Sequence, residues 1–209
     1  MITLRKGESV ITILPVVNGL VSEGERVKNI MDGHEAYAMA LGVDGIMALG
    51  KRSELEDDYE VSELDLVYAE HLSEFGNVEM PSPAMCAFVD WCKDNGITPI
   101  ALDYNDEDYT DLYCKTVGTL DFVREHRLAK KGLKKDFACS NPEDFAVAWD
   151  NHVNKVKGYR AMSELREKHI AEELAHLTEY KKDILACVET ERVEGIRKLL
   201  RSEYDMSEM

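Results

Sequence analysis

Residues 183–200, DILACVETERVEGIRKLL, constrain the fold more than any other stretch of the chain. Ile184 to Val188 form an apolar run of strand length with no polar alternation. Glu189, Glu191 and Arg192 follow at once, and a helical pattern begins at Val193. A continuous apolar strand is buried on both faces, as strands are in sheets flanked by helices. The stretch therefore predicts an α/β protein with a core strand running into a helix. Open α/β sheets bind ligands beyond the carboxyl ends of their strands, so the charged turn is a candidate site. It is equally a usual place for an exposed turn.

The rest of the chain extends this plan. Val10–Val17, VITILPVV, reads as a strand rich in β-branched residues, with Pro15 near its end, where a missing N–H is tolerated. Residues 22–42 read as helical, with Val27, Ile30 and Met31 on one face and Gly33 weakening the middle. VDGIMALG (43–50) is predicted as a second strand, KRSELEDDYEVSE (51–63) as a charged loop or short helix, and LDLVYAEHL (64–72) as a third strand. The clearest helix covers 81–96. Ser82 is placed to cap it, Pro83 sits at its first position, Met85, Phe88, Val89 and Cys92 recur at helical spacing, and Gly96 ends it. ITPIALDY (97–104) is the fourth predicted strand, and the strand–helix–strand order implies a right-handed crossover and parallel pairing. Residues 105–180 read as helices. Tyr109, Leu112, Tyr113, Thr116 and Leu120 share one face there, and Phe145, Trp149, His152, Val153 and Val156 share another after Asn141–Pro142. A terminal helix is predicted over Val193–Arg201, with a frayed polar tail over 202–209. The expected architecture is a single α/β domain, 1–209. A small, mostly parallel sheet is flanked by helices, with a large helical insertion at about 105–180 before the last strand.

Composition narrows the function classes. With 41 acidic against 25 basic residues and a net charge of −16, the surface repels nucleic acid and anionic membranes, and neither is expected as a partner. The five cysteines, an odd number without CxxC spacing, argue against a zinc site or disulfide framework and for a reducing, cytoplasmic setting. MITLRKGESVITILPVV has no long apolar core or cleavage site, so no signal peptide is expected. No apolar run approaches the ~18 residues of a membrane span.

Three predicted strands end in an acid: Glu70, Asp103 and Glu189. On neighbouring strands their carboxylates would converge on one rim, where such groups share protons, bind hard cations or act as acid and base. Asn18 ends the first strand, His71 follows Glu70, and His34 and Glu35 form a second polar pair. Loops after strands are also commonly acidic for solubility alone. HExxH, GxGxxG, GxxxxGK[ST] and GxSxG are absent, which removes the zincin, phosphate-cradle and nucleophile-elbow arrangements. REHRLAKKGLKK (124–135) carries six Lys/Arg, which could neutralise an anionic ligand; more often such a run is a solvated helix face or loop.

One longer stretch, ELREKHIAEELAHLTEYKKDILACVETERVEGIRKLL (164–200), resembles the C-terminal module of the TraB/PrgY/GumN family, related to the TIKI-type metal-dependent proteases. Arg166, Ile170, Ala171, Glu172 and Leu174 match its arginine-led helix, DILACV its strand, and Val193–Ile196 its close. The resemblance implies an α/β core with a helical insertion. It also implies metal-assisted peptide hydrolysis resting on two histidines, and both positions differ here. Asn18 stands where the N-terminal histidine is expected, and Glu189, Thr190, Glu191 and Arg192 replace the glycine-rich histidine turn. The family's acidic position falls on Glu70 or, in a competing alignment through VDGIMALG, on Leu49; Asp103 is retained, followed by Tyr104 in place of arginine. An arginine that does not deprotonate opposes a divalent metal and suits an anion or an internal ion pair.

The favoured expectation is a TraB-like protein without catalysis or cofactor. It would bind a small anionic ligand or a protein partner at a rim built from Asn18, Glu70, His71, Asp103, Arg166, Glu189, Glu191 and Arg192. The alternatives are a metal-dependent hydrolase using Glu70, Asp103 and Glu189, and a structural homo-oligomer.

Overall fold

The computed structural model describes residues 1–54 and 61–209. The part of the predicted 51–63 loop or helix that covers 55–60 lies outside the described residues. The elements in order are β1 (Ile2–Lys6), β2 (Ser9–Val16), α1 (Val21–Lys28), β3 (Ala36–Met39), α2 (Val43–Gly50), α3 (Glu63–Leu72), α4 (Pro83–Asp94), β4 (Ile100–Ala101), α5 (Asp106–Thr116), α6 (Thr119–Gly132), α7 (Pro142–Val153), α8 (Lys157–Leu177), β5 (Asp183–Glu189), α9 (Thr190–Glu203) and β6 (Ser207–Glu208).

They form one sheet of order β4-β3-β5-β2-β1-β6. The four strands from β4 to β2 run parallel, and β1 and β6 complete an antiparallel edge. The fold is therefore α/β, with helices α5 to α8 forming the helical insertion before β5. The insertion returns the chain to the middle of the sheet. β5 pairs with β2 over seven positions, Val10↔Asp183 to Val16↔Glu189, and with β3 on its other side. Glu189 is thus carried to the centre of the carboxyl-end rim.

The two sheet faces follow the strand period of two. Ile184, Ala186 and Val188 join Ile11, Ile13, the β3 residues Ala36 and Ala38, and Ala40 just beyond that strand in a core with Ile170, Leu174, Ile196 and Leu200 of α8 and α9. Leu185 and Cys187 join Leu14, Val16, Tyr37 and Met39 in a second core with α1, α2 and α4, including Met85, Phe88, Val89 and Cys92. A third cluster lies beyond the strand ends. Val17 and Leu20 pack there against Val67, Leu72, Ala129, Phe145 and Trp149, so that α3, α6 and α7 cap the carboxyl rim.

Several sequence expectations are corrected. VDGIMALG is helix α2, and LDLVYAEHL is helix α3. The second is set by a capping box in which the Ser62 hydroxyl accepts from the Asp65 N–H and the Asp65 carboxylate accepts from the Ser62 N–H. Both runs seemed strand-like because they carry apolar residues that stay exposed, among them Val43, Met47 and Leu66. The missing strand is AYAM, β3, inside the stretch expected to be one helix. That helix stops at Lys28, and Gly33 turns the chain at φ +97. Alanine and methionine favour helix locally, but full burial beside β5 decides otherwise. The fourth strand shrinks to Ile100–Ala101. Helix α5 buries no residue, so the expected Tyr109–Leu120 face is not core. The tail is not frayed: Met206 is buried, and β6 pairs with β1. Pro15 is accommodated because β1 pairs with β2 only from Ser9 to Ile13, leaving its nitrogen with no ladder partner to supply.

Candidate functional site

The rim is assembled from the ends of β2, β4 and β5, with α8 crossing beside it. Arg166 of α8 donates through Nε to Asp103 Oδ2 at 2.6 Å and through Nη2 to Glu189 Oε1 at 3.3 Å. Both carboxylate side chains are buried, Asp103 at 5% and Glu189 at 7% exposure, against 16% for the guanidinium. The second Asp103 oxygen accepts from the Tyr104 N–H at 2.9 Å, and the Tyr104 ring stacks on His169 with centroids 4.0 Å apart. Burial opposes the Arg166 charge, but the two carboxylates outweigh it and hold its pKa above the ordinary value.

The next turn is less satisfied. Glu191 is partly exposed as a residue, yet its Oε2 is sealed from solvent and has no hydrogen-bond partner. Its carboxyl is pushed up to about 7, first by burial and then by repulsion from Glu189, with Arg192 opposing. Burial also pushes Glu167 of α8 up to about 7 and raises Asp150 of α7 from its ordinary value, again with Arg192 opposing. The Tyr68 hydroxyl is held far above its usual range by burial, then by Glu191 and Glu23. Glu23 itself accepts from the Val17 N–H at 3.0 Å and pairs with Arg26 at 2.6 Å, which also donates to the Pro15 carbonyl.

Between this rim and the cap lies a cavity of about 460 Å³. Asn18 lines it from just beyond β2, Ser82 from the start of α4, Glu191 from α9, Tyr68 and Ala69 from α3, and Trp149 from α7. Among the described residues, eight buried side-chain atoms lack a hydrogen-bond partner. Seven of them belong to Asn18, Ser82, Glu189, Thr190, Glu191 and Arg192. Ser82 begins α4 but does not cap it through its side chain, contrary to the sequence expectation. Its hydroxyl is left in the cavity wall without a base.

Of the residues singled out from sequence, Asp103, Arg166 and Glu189 come together, and Asn18 and Glu191 line the adjoining cavity. Glu70 and His71 do not join them. Both lie on α3 rather than at a strand end. Glu70 is exposed in a separate groove against α6, and His71 Nε2 bonds the Gly132 carbonyl at 3.0 Å while its ring packs on Phe137 and Phe145. His34 and Glu35 sit at the opposite end of the sheet, where His34 Nδ1 meets Asp183 at 2.9 Å and Glu35 accepts from the Lys182 N–H at 2.8 Å. The basic 124–135 run is mostly an α6 face: Arg124 pairs with Asp121, His126 with Glu63, and beyond the helix Lys135 lies over the Phe137 ring.

Sequence reading missed Tyr68, Ser82, Trp149, Asp150 and Glu167. The first had been placed on a strand, Ser82 read as a cap and Trp149 as part of an apolar helix face, and Asp150 and Glu167 were not singled out. The adjacency of Glu167 to Arg166 was the one usable signal. Among the described residues, no group of three or more His, Cys, Asp or Glu side chains is arranged to hold a metal ion. Arg166 occupies the space between Asp103 and Glu189, so the donor set does not fit the metal that the family resemblance implies. No protein-family model matches the chain, and no curated protein matches it significantly.

Proposed function

We propose that the chain is a binding protein whose cavity, between the strand-end rim and the α3–α6–α7 cap, receives a small molecule, and that it performs no hydrolysis. One observation carries this reading. Unsatisfied buried polar atoms are rare in folded proteins because each costs about 1–3 kcal/mol, yet three of them belong to residues that line one cavity, Asn18, Ser82 and Glu191. A ligand that pairs with them recovers that cost. The volume falls within the range of small-molecule sites, and a mostly apolar wall with a few polar anchors is their usual composition.

The absence of a base beside Ser82, and the engagement of Asp103 and Glu189 by Arg166, favour binding over chemistry. On this reading the chain is a TraB-like protein in which Asn18 and Arg192 replace the catalytic histidines. The five free cysteines are in keeping with a cytoplasmic setting.

Thermal-shift screening of the purified chain against a small-molecule library tests the proposal, with Ala69→Trp as the filled-cavity control. Saturable stabilisation of the wild type but not of the variant supports it. Absence of any stabilising compound, or equal shifts in both proteins, overturns it.

A further inference from the structure

We infer that the ligand of this cavity is an organic cation, an amine on an apolar or aromatic body, with Glu191 as its counter-ion. The inference rests on the binding reading above and adds the charge and class of the ligand.

The wall is one-sided in charge. Asp65, Glu79 and Glu191 line the cavity, and among the described residues no lysine, arginine or histidine does. Asp65 and Glu79 are exposed at its mouth, and Asp65 is engaged with Ser62. Glu191 is the deep acid, with Oε2 sealed and unpartnered. The other unpartnered atoms of the wall fit the same ligand. Asn18 Oδ1 is an acceptor, and the Ser82 hydroxyl can accept. A primary ammonium group, which only donates, fits a wall whose deep charged group is a carboxylate with an unpartnered acceptor oxygen. A carboxylate or phosphate would meet repulsion from Glu191 and find no cation in the wall.

Arg192, which led the sequence reading toward an anion, does not line the cavity; Asp150 and Glu167 share its field. Tyr68 and Trp149 give the body of the ligand an aromatic wall, and aromatic faces attract ammonium groups. Val78, Leu66 and Met80 extend the apolar surface toward the mouth.

The test compares three probes of one shape on the full chain by calorimetry at pH 8: 2-phenylethylammonium, 2-phenylethanol and 3-phenylpropanoate. The amine is expected to bind tightest. Glu191→Gln should weaken it at least about tenfold while leaving the alcohol unchanged, and Ala69→Trp should abolish both. If the alcohol or the carboxylate binds as tightly as the amine and Ala69→Trp abolishes that binding, the cation inference falls and the cavity reading stands. Unaltered amine affinity in Glu191→Gln also overturns it, as does failure of the amine to bind the wild type. Should Glu191→Gln not fold, the order of the three probes on the wild type decides.

Discussion

Arg166 and Asp103 are 63 residues apart in the chain and meet at 2.6 Å, joining the helical insertion to the end of a two-residue strand. Glu189 completes the bridge from the end of β5, two places along the sheet from β4. The arginine thereby neutralises a pair of buried carboxylates that would otherwise repel each other across the sheet end.

Removing this cation leaves two buried charges. Arg166→Met is expected to cost about 3–5 kcal/mol in urea unfolding at pH 7, the range for breaking a buried pair. Adding Asp103→Asn and Glu189→Gln to it should restore most of the loss. A cost below about 1 kcal/mol for Arg166→Met would show that the carboxylates are well solvated.

Glu167 predicts a pH dependence of the opposite sense to that of a salt-bridged acid. Its folded pKa of about 7 lies above the ordinary 4.5 because burial favours the neutral form. Between those values the folded state holds more protons than the unfolded state, so stability falls as pH rises through the window. Glu191 adds in the same direction. Glu167→Gln should therefore raise the melting temperature most at pH 8 and progressively less toward pH 4.5. A gain independent of pH would refute the assignment.

Two glycines eight and five residues ahead of Gly50 should respond with opposite signs. A Cβ on Gly42 would lie 2.1 Å from the Tyr104 carbonyl oxygen, a backbone atom that cannot step aside without parting the loops after β3 and β4. Gly42→Ala is expected to cost about 1–3 kcal/mol. Gly45 lies within α2 with nothing nearer than 3.8 Å to its Cβ, so Gly45→Ala should be neutral or gain up to about 1 kcal/mol from helix propensity. Thermal melts of the two variants distinguish these outcomes.

Glu70→Ala should change stability by no more than about 0.5 kcal/mol, because the side chain is exposed and outside the rim. A loss of the size predicted for Arg166→Met would place Glu70 in the network after all.

The thiols should separate by burial. Cys114 is exposed, Cys86 and Cys139 are half-buried, and Cys92 and Cys187 are buried. Burial pushes the Cys92 thiol up to about 12 and Cys187 higher still. Labelling with an aromatic disulfide reagent, read by peptide mass spectrometry, should modify Cys114 first and reach Cys92 and Cys187 only in denaturant.

Legibility tracked how local each signal was. The β2 strand, helix α4, the helices of the insertion and the β5-to-α9 turn could be read from the residues because each carries its own period, cap or breaker. The rim pair Asp103 and Glu189 followed from those strand ends, and Arg166 came from the resemblance. Helices α2 and α3 could not be separated from strands by pattern, since a short apolar run satisfies both. Strand β3 was hidden by residues that favour helix in isolation.

By itself the sequence determined an α/β chain with a buried last strand, a helical insertion before it and acid at the strand ends, because periodicity and composition are properties of neighbours in sequence. Only the tertiary structure decided that α3 and α7 fold over the rim. That placement leaves Glu70 in solvent, seals Glu191 Oε2 from it, and strands Asn18 and Ser82 in a cavity wall. Burial and charge pairing are set by residues distant in the chain, and no local pattern encodes them.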